Sequence, residues 1–346
     1  MPILREDQLR GLYEALAKKF GAPGEEASIF ADALVQADLR GFDGQGILLM
    51  NEHWLKFLRA RAIKPGSRVS IVKETSAMAL LDGGGGLGQV IGTKAMKLAV
   101  EKARKSGVGI VSVRNSNDWG MTGYYSMKAL EYDCIGIAMA TFHNPFVAPW
   151  GGRDRILGSN PFSYAIPARR HWPIVLDMAT AATSGSRIYE AMIHGKKIPE
   201  GLVLDAYGSP TTNPRSLYEG GALMSFGPRG YGLLVMVEIL AGPLSDMGLA
   251  SDREAFVGQL CVAIDVNQFT PIDEFKEKVD RLIDKVKSSR VASGFTEILV
   301  PGEKEFREKQ RRTSEGISVP DNVWQDVTKI AEELGVDWKQ AVRWNS

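Results

Sequence analysis

Residues 77–105, AMALLDGGGGLGQVIGTKAMKLAVEKARK, decide the fold class. A short apolar run, Ala77 to Leu81, ends in Asp82 and a string of glycines. Beyond Gly88, Ile91, Ala95, Leu98 and Ala99 then fall on one helical face, with Lys94, Lys97, Glu101 and Arg104 on the other. That is a buried strand followed by a helix that covers a sheet. Apolar runs bounded by glycine or polar turns recur at 108–113, 135–140, 174–176 and 260–264, each short enough for a buried strand.

The ends of the chain read differently. Leu9, Leu12, Tyr13, Leu16 and Phe20 recur at helical spacing, with Gly21 as a C-terminal stop. A second helix is expected over about 25–40 and a third over 51–61, closed by Lys64-Pro65-Gly66. Tyr231 to Leu240 is apolar on every side and too short to cross a bilayer, so it predicts a helix buried at the centre of the larger unit. Thr270-Pro271 predicts a capped helix turning Ile272, Phe275, Val279, Leu282, Ile283 and Val286 inward, and 321–334 predicts another. The densely charged run 303–312 reads as a solvated helix or turn. The expected class is therefore α+β, with helical N-terminal and C-terminal layers around a sheet.

With 346 residues, 44% apolar and 24% charged, the chain has material for about two ordinary domains, which excludes disorder, collagen and disulfide scaffolds. The 42 Lys and Arg nearly cancel the 41 Asp and Glu, so no net field draws in nucleic acid or an anionic membrane. Cys134 and Cys261 lie far apart in apolar runs without CxxC pairing, as buried free thiols in a reducing compartment would, and the cytoplasm is the expected location. The N-terminal residues form an amphipathic pattern rather than a signal peptide, and no apolar run is long enough to span a membrane.

Several motifs carry possible chemistry. The turn 82–89 is either a tight packing turn or an anion contact at a helix N-terminus; it has neither the P-loop order nor the acidic residue of a dinucleotide fingerprint. Arg114 to Gly120 follows a buried strand, where ligand-facing loops begin, though a plain Asx turn also suits it. Glycines beside Trp150 and beside Ser159 and Asn160 permit close approach to a flat ligand. Asp177 suits a ribose hydrogen bond or a helix cap. Of the histidines, His53 is expected on a helix surface and His171 and His194 in loops, which leaves His143, just after a strand, with a site location.

Taken together and in order, Asp38-Leu-Arg-Gly41, Asp82-Gly with Gly88-Gln89, Asn115-Ser-Asn117, Ala148-Pro-Trp-Gly-Gly152, Leu157-Gly-Ser-Asn-Pro161, Leu176-Asp-Met-Ala-Thr180, Ile198-Pro-Glu-Gly201, Pro210-Thr-Thr, Gly230-Tyr-Gly-Leu233 and Pro301-Gly-Glu303 resemble the type-2 malate/L-lactate dehydrogenase family. This family also holds sulfolactate and ureidoglycolate dehydrogenases, diketogulonate reductase and cyclic imino-acid reductases. The resemblance implies a homodimeric oxidoreductase acting on CH–OH or CH–NH groups, with an NAD or NADP site on a non-Rossmann sheet domain. It divides the chain into a helical layer, 1–68 completed by helices of about 307–346, and a cofactor, substrate and dimerisation region, 69–306. Cofactor contacts carry over to Ser159, Asn160, Asp177, Met178, Ala179, Arg229, Gly230, Pro301, Gly302 and Glu303, and His143 joins them as a candidate by its place after a strand.

The chemical residues of the family do not carry over. Its Ser-His-Gly is here Gly44-Gln45-Gly46, its carboxylate-gripping arginine is Leu49, and its second histidine, in Asn-Ser-Asn-His-Phe-Gly, is Asp118. The position of its relay acid holds Arg187. Glutamine does not exchange a proton near neutrality and arginine does not release one, so Gln45 and Arg187 are expected to orient or polarise an oxygen while Asp118 acts as acid/base. A lyase or isomerase that holds a dinucleotide, or a silent cofactor-binding protein, is the alternative.

Overall fold

The computed structural model describes residues 1–142, 144–249 and 256–342. Its main sheet has seven strands in the order Ser70–Glu74, Met78–Asp82, Val108–Ser116, Val257–Asp265, Cys134–Ala140, Phe162–Ile166, Ile174–Met178. Met78–Asp82 and Val108–Ser116 run parallel, joined by the helix Gly88–Ser106, because a parallel pair needs a crossover. The other neighbouring pairs are antiparallel. Cys261, central in the sheet, pairs with Val111 on one side and Ala138 on the other.

The crossover helix lies close on the sheet because its inner face is small: Ala95, Ala99 and Ala103 are fully buried, and a Cβ on Gly109 would overlap the Ala99 carbonyl. The helices Glu6–Lys19 and Gly24–Leu39 contribute Leu9, Leu12, Leu16, Phe30 and Leu34 to this same core, and the C-terminal helix Asp321–Glu333 adds Val327, Ile330 and Ala331. A two-stranded ladder, Ile3–Leu4 with Ile317–Ser318, ties the two ends together. A smaller lobe holds three short strands, Val203–Leu204, Pro210–Thr211 and Ala222–Leu223, over its own cluster of Val147, Ile188, Leu217 and Leu234.

Three expectations need correction. The helix Gly227–Ala241 is not buried on all sides: Leu234, Val237 and Ala241 face the core, while Leu233, Met236, Ile239 and Leu240 are exposed. In the helix Ile272–Lys287, Val279 and Ile283 are buried, but Leu282 and Val286 face out, and the residue before it is Pro271, with no side-chain cap from Thr270. The expected third helix begins as a π-helical turn, Met50–Leu55, before the short helix Lys56–Arg59. Both cysteines are buried free thiols, and among the described residues no helix is long and apolar enough to cross a membrane.

Candidate active site

The glycine turn after Met78–Asp82 serves packing. Gly83 and Gly85 donate to the carbonyls of Arg114 and Asn115, and Asn117 returns its amide to the carbonyls of Gly85 and Gly86. Asp82 accepts from Gly84 N, Arg114 Nε and Asn115 Nδ2, a set that holds its carboxyl below the ordinary range despite partial burial. A Cβ on Gly88 would overlap the Asp118 carbonyl, so the helix start abuts the loop that carries Asp118. The asparagines expected to face a ligand thus clamp two loops to each other, and this fixes Asp118 in place.

Asp118 sits at the mouth of that clamp with a side chain 16% exposed. Its Oδ1 accepts from Gly120 N at 2.8 Å, and its Oδ2 lies 3.1 Å from His53 Nε2. His53 is therefore no surface histidine. The π-helical turn swings it inward, and its ring lies edge-on to Trp54 at 4.6 Å and tilted on Phe57 at 4.9 Å. Such turns are common at functional sites, and a periodicity count made at ordinary helical pitch misplaces every side chain in one. Trp54 approaches Gly120, and its indole N–H is buried with no hydrogen-bond partner among the described residues.

Gln45 is brought to the same place: its amide oxygen and its carbonyl both approach Gly120. Its loop is held from behind by Asp38, which accepts from Tyr13 Oη at 2.6 Å and from Ile47 N at 2.9 Å. Asp38 is fully buried, and this desolvation pushes its carboxyl up to about 7 against the opposing pull of those two donors. Only glycine fits at position 46, since a Cβ there would overlap the Asp38 carboxylate. Arg187 is not brought into the cluster. Its helix, Gly185–Ile193, starts beside Gly44 through Ser186, capped by Ser184, but Arg187 itself is exposed and no described side-chain bond joins it to Asp118 or Gln45.

A cleft of about 380 Å³ opens next to this cluster, lined by Arg40, Gly123, Asp177, Pro301, Gly302, Glu305 and others. Asp177 stands on the edge strand, and its Oδ2 accepts from Gly123 N at 2.7 Å. Desolvation and the nearby Glu305 push it up to about 7, opposed by the Gly123 amide and Arg40. Pro301 O accepts from Val175 N, and Gly302, at φ +88°, presses so close to Val175 that a Cβ would sit 2.9 Å from its carbonyl oxygen. On the other flank, Ser159 O accepts from Thr180 N and Thr180 Oγ1, and Gly230 lies by the Thr180 carbonyl. Ser159, Asp177, Met178, Ala179, Gly230, Pro301 and Gly302 therefore gather along one edge of the sheet.

Other carried-over residues have different work. The Asn160 amide donates to Glu238 Oε2 at 2.7 Å and to the Leu234 carbonyl, so this fully buried side chain ties its loop to the helix Gly227–Ala241. Glu303 turns away from the cleft and pairs with Lys287 and Arg307 at 2.7 and 2.5 Å, which holds its carboxyl low. Arg229 is exposed on its helix. His143 lies outside the described residues. Sequence reading did not single out Arg40 or Glu305 as ligands. Arg40 is nearly buried, stacks 4.5 Å over the Phe306 ring, and leaves Nε without a partner, although its guanidinium remains charged with its pKa lowered to about 10 by desolvation.

The model of the malate/L-lactate dehydrogenase family matches residues 4–328. The chain belongs to this family. The L-sulfolactate dehydrogenase of Methanocaldococcus jannaschii is 42% identical over 342 residues, covering 97% of this chain and 98% of that protein. Its solved structure superposes with a TM-score of 0.90 at 39% identity, covering 98% of this chain and 99% of that one. The malate/(S)-sulfolactate dehydrogenase of Methanothermus fervidus is 38% identical, over 97% of this chain and 99% of that protein. The malate dehydrogenase structure from Entamoeba histolytica gives a TM-score of 0.92 at 30% identity, covering 97% of this chain and 98% of that one. This member of the malate/L-lactate dehydrogenase family is an oxidoreductase acting on CH–OH groups of small molecules.

Proposed function

We propose that the chain exchanges a hydride between a small anionic 2-hydroxy acid, of the sulfolactate or malate kind named for its relatives, and NAD or NADP, with the accompanying proton handled at Asp118. One observation carries this reading: residues 118–123 are pinned at one end by Asp118 and at the other by the Gly123–Asp177 hydrogen bond. The proton-handling carboxylate and the nucleotide cleft thus share one rigid segment, as coupled hydride and proton movement requires.

The cleft suits a nucleoside moiety in size, and the Arg40 guanidinium and Asp177 carboxylate that line it offer a donor and an acceptor for ribose or base atoms. Asp177, Gly302, Pro301 and the Ser159 loop would hold the dinucleotide on this mostly antiparallel sheet. The nicotinamide, when bound, supplies the hydride acceptor. Gln45 orients the reacting oxygen through its amide. With Leu49 in place of the arginine, charge recognition of the acid passes to Arg187, whose helix begins beside Gly44.

The homodimer that the resemblance implies would seat a second copy against the exposed apolar face of Gly227–Ala241, because Leu233, Met236, Ile239 and Leu240 form a stripe that a monomer leaves in water. The test is direct. Purified protein is titrated with NADH and NADPH by fluorescence, then supplied with hydroxy acids while reduced nicotinamide absorbance is followed. Binding of one nucleotide and turnover of an anionic hydroxy acid supports the reading; absence of nucleotide binding overturns it.

A further inference from the structure

We infer that His53 and Asp118 act as one acid/base unit, with Asp118 presented to the reacting oxygen and His53 behind it as the positioning residue that keeps the exchangeable proton available near neutrality. This rests on the hydride-transfer reading above and adds to it the residue that makes an aspartate workable there. An isolated carboxyl with an ordinary pKa near 4 is almost always ionised at neutral pH and is a poor proton donor. An imidazole in hydrogen-bond contact with it changes what the site can do, because a proton can be passed between the two groups.

The geometry supplies what such a unit needs. His53 Nε2 and Asp118 Oδ2 are 3.1 Å apart, both side chains are 16% exposed, and the second carboxylate oxygen is fixed by Gly120 N. Trp54 and Phe57 hold the ring. The carboxylate facing the imidazole belongs to Asp118; on the C-terminal helix Asp321–Glu333, which packs against the same π-helical turn, Glu333 is taken up by Arg59. Gln45, which cannot titrate, lies beside Gly120 together with Trp54.

In oxidation of the hydroxy acid, the carbinol C–H bond breaks and its hydrogen leaves with the bonding pair as hydride to the nicotinamide. The O–H bond also breaks, its electrons form the new C=O π bond, and its proton passes to the Asp118–His53 unit, which later releases it to solvent. In reduction each transfer runs backwards, and the unit must carry its proton beforehand.

The test compares His53→Gln and Asp118→Asn with the parent protein. His53→Gln keeps a hydrogen-bond donor beside Asp118 but cannot carry a proton. It is expected to lower kcat for keto-acid reduction at least tenfold at neutral pH, to move the pH limb of kcat/KM down into the carboxylate range, and to leave nucleotide affinity unchanged. As a readout independent of turnover, heteronuclear NMR of the four imidazoles should show one titration curve that disappears in His53→Gln and moves in Asp118→Asn. If His53→Gln retains the parent limb, or if the His53 titration is indifferent to Asp118→Asn, the inference fails while the redox reading stands. If the parent protein binds no nicotinamide nucleotide, the redox reading fails instead. Should His53→Gln prove unfolded by circular dichroism, Asp118→Asn with the NMR titration decides.

Discussion

Asp177 should weaken the empty protein while serving its ligand. Its carboxyl is raised from an ordinary 3.8 to about 7, first by desolvation and then by Glu305. At about 1.4 kcal/mol for each tenfold change in proton affinity, this corresponds to roughly 4 kcal/mol. Because Asp177 opens onto the cleft and is only partly covered, water screens the charge, and about 1–3 kcal/mol is the realistic range. Between pH 4 and 7 the folded state holds a proton that the unfolded chain has given up. Stability therefore falls as pH rises through that window and is lowest above 7.

Asp177→Asn removes the titration and keeps an acceptor for the Gly123 amide. Urea unfolding of the parent and the variant at pH 5 and pH 8 should show the variant gaining about 1–3 kcal/mol relative to the parent at the higher pH, because both carry Asp38 and that contribution cancels. Nucleotide binding should move oppositely. A ribose hydroxyl donating to Asp177 favours the ionised form, so parent affinity should rise through pH 7 with proton release visible by calorimetry in two buffers, and the variant should bind weakly without it. Parallel stability profiles for the two proteins would refute the assignment of this carboxyl as a buried, ligand-directed group.

Gly123→Ala places a Cβ 2.8 Å from Asp177 Oδ2, so nucleotide affinity measured by fluorescence should drop at least tenfold while the circular dichroism spectrum is retained. Asp38→Ala leaves the Tyr13 hydroxyl and the Ile47 amide buried without an acceptor, and at about 1–3 kcal/mol each the expected loss in urea unfolding is about 2–5 kcal/mol. Met236→Asp puts a charge in the exposed apolar stripe; light scattering should report a shift from dimer towards monomer, and an unchanged mass would remove that face as the interface.

The sheet was legible because its strands are buried on both faces and so appear as short apolar runs bounded by turns. The runs at 108–113, 135–140 and 260–264 lie inside observed strands, each only a few residues longer. Ser70–Glu74 escaped notice because every residue of this edge strand is exposed, which erases the alternation that marks a half-buried strand. Phe162–Ile166 is mixed in burial and hides behind Pro161. The helix Gly227–Ala241 misled in the opposite sense: its apolar outer face reads as core, yet it is solvent-facing in a single chain. Glycine and asparagine patterns located the right loops but not their tasks, since an asparagine side chain that clamps a neighbouring backbone, as Asn117 does Gly85 and Gly86, is the same residue type as one that faces a ligand.

His53 shows why a missing motif need not mean missing chemistry. The resemblance places a histidine where this chain has Asp118, and a histidine where it has Gln45, so a residue-by-residue reading removes every imidazole from the site. A proton-sharing pair, however, depends on one nitrogen-to-oxygen contact between two elements and not on which element carries which group. Here the strand-end loop carries the carboxylate, and the helical layer, through a π-helical turn that rotates position 53 inward, carries the imidazole. On the proposed reading Gln45, beside Gly120, is a neutral amide that can hold an oxygen without taking up a proton.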